Sequence, residues 1–169
     1  MSIHQQTAQQ FSSMLSNTLK FLDKAEELAK TKKFEAQVFL NQRLAPDMYP
    51  LTKQIQITTD NAKNGIARLA GKEAPKYEDN EKTIDELRER LKKTIAYLGT
   101  FKADDFRGAE DRRVTLPWAP DKHMIGSEYL VQMLIPNFYF HAMATYAILR
   151  NSGVDVGKTD FIGNINMRG

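Results

Sequence analysis

The chain has 169 residues, 41% hydrophobic and 27% charged, with a net charge of +3. That size and balance fit one soluble domain able to bury a core without staples. There is no cysteine, which excludes disulfides, a thiolate nucleophile and cysteine-ligated metal.

Lys and Arg are spread among Asp and Glu rather than gathered on one face, which argues against nucleic acid as a partner. The basic run Arg88–Lys93 alternates with Glu86 and Glu89 and reads as a solvated helix face. The N-terminus "MSIHQQTAQQF" has no basic start followed by an apolar core, so no signal peptide is expected and the cytoplasm is favoured. His4 reads as a surface residue of a polar first turn.

The first helix is expected from about Ile3 to Lys30, opened by a Ser2/Gln5 capping box. Apolar and small residues from Phe11 to Ala29 repeat with helical spacing. The linker to about Ala45 carries "FEAQVFLNQRL", apolar enough to pack on the bundle. A second helix is expected from Pro46 or Asp47 to Gly71, with a buried stripe from Met48 to Leu69. "KEAPKYEDNE" reads as a polar loop. The third helix spans about Glu81 to Leu98, with Thr83 and Glu86 as another capping box.

Residues 100–126 break the helical pattern. They predict a small β-hairpin turning at Ala119-Pro120-Asp121. His123, in that hairpin, reads as a surface residue. A fourth helix follows, N-capped by Ser127 and running to Leu149 or Arg150. It is apolar on more than one face, and Pro136 in its interior is expected to kink it. Gln132, Pro136, Asn137 and His141 interrupt the apolar run, so a membrane span is disfavoured. A Gly-rich tail ends the chain, with Phe161 and Ile162 as its anchors. The pattern predicts an all-α, antiparallel four-helix bundle with a β-hairpin between helices three and four.

Asn137 and His141, four residues apart, share one face of the fourth helix. The second helix offers Asp47, Gln54 and Asn61 at a spacing of seven. Gln54, Asn137 and His141 therefore form a candidate polar pocket between facing helices, and Asp47 would add a carboxylate if the helix end approached. Two readings stand side by side. One is a small-molecule site. The other is a satisfied core network in a structural or interaction module. One imidazole and two amides are a poor set for a transition metal. Phe138, Tyr139, Phe140 and Tyr146 read as core. Trp118, after a proline in a loop, is the candidate exposed aromatic for a pocket lid or an interface.

"LAPDMYPLTKQIQ", "FRGAEDRRVTLPW", "PNFYFHAMATYAILRNSGV" and "GKTDFIG" together resemble a bacterial domain-of-unknown-function family of the DinB/YfiT-like superfamily. The resemblance implies a DinB-like bundle, often a homodimer, in the cytoplasm. It also implies a divalent metal (Zn, Ni or Mn) held by three histidines, and in several members thiol-transfer chemistry. Carried over, His141 matches the second histidine of a last-helix pair. Asn137 stands in place of the first, and Gln54 at the second-helix position.

Overall fold

The computed structural model describes residues 2–167. Four long helices carry the fold. A π-helical stretch Gln5–Gln9 leads into α1 (Gln10–Lys32). The others are α2 (Leu51–Ala70), α3 (Ile84–Leu98) and α5 (Ile135–Asn151). A short turn α4 (Gly126–Glu128) and a second π-helical stretch, Tyr129–Leu134, precede α5. A last short helix α6 (Lys158–Ile162) follows it.

Both sequence capping boxes form. Ser2 N–H donates to Gln5 Oε1 at 2.9 Å while Gln5 N–H donates to Ser2 Oγ at 3.2 Å. Thr83 and Glu86 do the same at the head of α3, each bond satisfying an N–H that the first turn leaves free.

The second helix starts later than expected. Pro46 and Pro50 push the residues before them out of the helical region. Helix winding therefore begins only at Leu51, with Pro50 extended at the N-cap. Asp47 and Met48 are left in the preceding turn. The linker does pack: Phe39 and Leu40 are buried on a 3₁₀ turn, Ala36–Asn41.

α1 packs on α3 and α5, and α2 packs on the same two helices. The cross-helix contacts give the directions. Phe11 stacks on Phe138 and Phe21 meets Tyr146 edge-on, so α1 and α5 run parallel. His4 reaches Phe101 while Arg88 reaches Glu26, so α1 and α3 are antiparallel. Gln54 pairs with His141, and Arg68 with Tyr129, so α2 and α5 are antiparallel. It follows that α2 and α3 run the same way. Phe11, Leu15, Phe21, Leu51, Ile55, Ile66, Leu87 and Phe138 fill the core between them.

Parallel neighbours need a connection that returns along their length. The expected polar loop after Gly71 is that return, and it is pinned rather than free. Arg90 on α3 has a side chain only 2% exposed. Its Nη1 donates to Glu78 O and to Glu81 Oε1, both at 2.9 Å. Its Nη2 pairs with Asp79 and with Asp60 of α2 at 3.0 Å, and its Nε donates to Thr59 Oγ1 at 2.7 Å. Lys53 ties Asp79 down from the α2 side at 2.5 Å. Burial pushes the Asp79 carboxyl up, but the Lys53 hydrogen bond and the Arg90 charge outweigh it and hold it below the usual carboxylate range. The Tyr77 ring lies under the cations of Lys93 and Lys63, at 4.2 and 4.8 Å. Arg88 bridges to Asp23 and Glu26 of α1. The solvated face expected over 88–93 is thus half wrong: its two arginines are structural, because the charges they meet come from other segments.

The hairpin forms from β1 (Arg113–Leu116) and β2 (Ala119–Ile125), antiparallel, with Leu116 opposite Ala119. The turn is therefore Pro117-Trp118, and Ala119-Pro120-Asp121 lies within β2. Edge position makes that Pro120 tolerable. Ile125, not Ser127, occupies the N-cap that follows. A Cβ on Gly126 would lie 1.7 Å from Ala109 O, so only glycine lets the helix start this close to the loop.

Pro136 lies, as expected, inside a helical run that is unbroken from Gly126 to Asn151, just after the change from π to α winding. Its missing N–H and its ring, which crowds the carbonyl four residues back, disfavour α winding there. The preceding turn is wound as a π-helix instead. Leu130, Leu134, Phe138 and Ala142 are all buried. Their four-residue recurrence puts them on one helical face. Leu134 lodges against Gly65, where an added Cβ would meet it at 2.1 Å. Among the described residues no helix is long and apolar enough to cross a membrane.

Arg90→Met should leave three carboxylates without their partner and cost about 3 kcal/mol. Urea denaturation reads the loss, and limited proteolysis should newly cut between residues 72 and 82.

Candidate functional site

The polar residues on the facing sides of α2 and α5 form two pairs, not one trio. Gln54 is buried, 1% exposed. Its Nε2 donates to the backbone carbonyl of Tyr49 at 3.1 Å. A carbonyl can only accept, so this bond fixes the amide with Oε1 turned the other way. Oε1 lies 2.7 Å from His141 Nδ1. An amide oxygen also only accepts, so Nδ1 carries the proton and Nε2 carries the lone pair. Among the described residues Nε2 has no hydrogen-bond partner, and His141 is 9% exposed. Burial pushes the imidazole below its ordinary 6.5, so the ring is neutral at neutral pH.

Asn137 is turned away from Gln54. Its Nδ2 donates to Asn61 Oδ1 on α2 at 2.9 Å. Asn61 Nδ2 is buried with no partner among the described residues, an unmade bond that costs about 1–3 kcal/mol. Asn61 is the site residue that the expected set left out. Its place seven residues after Gln54 put it on the same α2 stripe. What the sequence did not carry was that Asn137, rather than His141, would face it.

The other candidates lie elsewhere. Asp47 is exposed in the turn before α2 and makes no contact with either pair, because α2 starts after it. Trp118 is exposed as expected, 73%, at the hairpin tip. It lines a shallow cavity with Val114, Leu116, Lys122, His123 and Met124, none of which belongs to the two pairs. His123 is exposed beside Arg113. His4 is not the free surface residue expected: its Nε2 meets Phe101 O at 3.0 Å and its ring tilts onto Phe106. Phe140, read as core, is 58% exposed and meets the His141 ring at 5.0 Å. Of the tail anchors, Phe161 packs on Phe21 and Tyr146 while Ile162 stays 52% exposed.

The family model for Domain of unknown function (DUF1993) matches residues 3–162. The chain belongs to the DUF1993 family. Among solved structures, a crystal structure of a DinB family member protein from Shewanella denitrificans superposes with a TM-score of 0.95. It is 41% identical, over 99% of this chain and 95% of the other. The DUF1993 chain is therefore DinB-like in fold and superfamily. No curated protein matches it.

The resemblance also implies a divalent metal, and the residues of this DUF1993 protein do not fit one. Both polar ends of Gln54 are committed, one to Tyr49 and one to His141. Asn137 is spent on Asn61. Among the described residues no three of His, Asp and Glu come together. Zinc, nickel or manganese would find one imidazole nitrogen and amides where they need imidazoles or carboxylates. What the DUF1993 site offers instead is a neutral imidazole held through Nδ1 by two successive hydrogen bonds, with Nε2 as its acceptor.

A histidine whose folded pKa lies below its unfolded value stabilises the fold fully above pH 6.5. That contribution is lost as pH falls through the lowered folded value. The melting temperature should therefore drop on acidification below pH 6.5, and His141→Gln should remove this component. An NMR titration of the ring should give a midpoint under 6.5.

Proposed function

We propose that this DUF1993 protein binds a small polar molecule, without a metal, beside His141. The observation that carries this reading is the hydrogen-bond chain from Tyr49 O through Gln54 to His141 Nδ1. Fixing one ring nitrogen so that the other faces a ligand is how imidazoles are oriented for acid–base or acceptor work. His141 Nε2 accepts the ligand's proton or hydrogen bond, and Gln54 positions the ring.

Native mass spectrometry of untagged protein beside His141→Ala tests it. The expected result is an organic adduct on the wild-type chain that is lost in the variant, with no stoichiometric metal after incubation with zinc, nickel or manganese. Stoichiometric metal that disappears in the variant would overturn the reading, as would identical spectra for the two chains.

A second reading, that the chain is a homodimer, is favoured by the outer face of α5. No Asp, Glu, Lys or Arg occurs from Tyr129 to Leu149, and Val131, Phe140 and Met143 are 63%, 58% and 48% exposed. An uncharged apolar face of this kind matches a second copy of itself about a two-fold axis. Phe140→Lys should then halve the mass seen by sedimentation without changing the circular dichroism spectrum. A wild-type chain that sediments as a monomer would rule this out.

A further inference from the structure

We infer that the hairpin carries a second binding site, separate from His141, that takes a small aromatic carboxylate. The cavity there holds about 190 Å³, and its walls include Val114, Leu116, Met124, Trp118, Lys122 and His123. The strand pairing is irregular at this place. Val114 pairs with Met124 and Leu116 with Ala119, so β1 advances two residues while β2 advances five. The three extra residues of β2 form a bulge, a feature that recurs beside binding and active sites.

The lining selects by shape and by charge. Val114, Leu116 and Met124 are apolar, and Trp118 adds an exposed aromatic ring, which suits a flat apolar body. A void of about 150 Å³ takes one benzene ring, so this cavity suits a single ring with a short arm. The polar side chains in the lining are donors. Lys122 Nζ and Trp118 Nε1 can only donate. Arg113 Nη2 lies 3.1 Å from His123 Nδ1. A guanidinium also only donates, so Nδ1 accepts and the ring proton sits on Nε2. No Asp or Glu lines the cavity. Among the described residues Lys122 is in no ion pair, and neither is Asp121, its exposed neighbour in the chain. The arm of the ligand must therefore accept hydrogen bonds, and the unpaired ammonium favours an anionic acceptor over a neutral one. An amine would set a donor against donors and a positive charge against Lys122.

Trp118 is the chain's only tryptophan, so its fluorescence reports on this cavity directly. Benzoate, benzamide and benzylamine share one ring and differ in charge, and each is titrated into the full chain. The expected result is a saturable change with benzoate, binding of benzamide about tenfold weaker, and no response to benzylamine. Lys122→Met, at an exposed position, should weaken benzoate about tenfold and leave benzamide unchanged, with the same circular dichroism spectrum. Equal affinity for benzoate and benzamide, or benzoate binding undiminished in Lys122→Met, would overturn the carboxylate class. A response to benzoate that never saturates would overturn the site. Emission that shifts with protein concentration alone would overturn it too, since a second copy of the chain would then cover Trp118.

Discussion

Two of the four long helices, α2 and α3, lie side by side and point the same way, so the chain between them must travel back along the bundle before α3 can begin. Extended backbone covers that distance but has no ladder to hold it, and a polar segment has little apolar surface with which to stick. Arg90 supplies the fastening. One guanidinium, 2% exposed, takes the carbonyl of Glu78, the carboxylates of Asp79 and Glu81, and on the α2 side Asp60 and Thr59. A planar group with five N–H donors can serve partners in several directions at once, which a lysine cannot. Burying it costs desolvation, and the cost is met only because every donor direction ends on an acceptor.

This arrangement also engages three charged side chains in the middle of α2. Lys53, Asp60 and Lys63 are drawn toward the return segment. The face that α2 turns to α5 presents the amides of Gln54 and Asn61, which meet His141 and Asn137 of α5. Within it, the order of hydrogen bonding is set by groups that have no choice. A backbone carbonyl orients Gln54, Gln54 orients His141, and the free nitrogen follows. Leu134, in the turn before α5, also packs closely against Gly65 of α2, so side-chain positions between these segments are held by close packing as well as by hydrogen bonds.

Much of the fold is legible in the chain itself. The helical stripe of α1, the capping boxes at Ser2 and Thr83, the stop at Gly71 and the hairpin before the last long helix all follow from local rules, each acting over a few residues. The failures share a cause. The late start of α2 came from two prolines acting on the residues before them. The hairpin turn moved to Pro117-Trp118 because strand pairing, not turn propensity, set the register. Arg88 and Arg90 looked like surface charge because their partners lie on other segments, and nothing local announces that.

For the candidate site the division is similar. Gln54, Asn137 and His141 stood out because polar residues in apolar helices need partners, and the spacing put them on facing stripes. Asp47 fell away with the helix start, and Asn61 took its place. The sequence by itself determined the all-α bundle, its helix ends and the polar residues available between α2 and α5, because periodicity, caps and breakers are properties of neighbouring residues. Only the tertiary structure decided which residue faces which: the parallel run of α2 and α3, the return segment under Arg90, and the pairing of Gln54 with His141 and of Asn61 with Asn137. Those depend on the register of one helix against another, and register across a bundle is fixed by contacts between residues far apart in the chain.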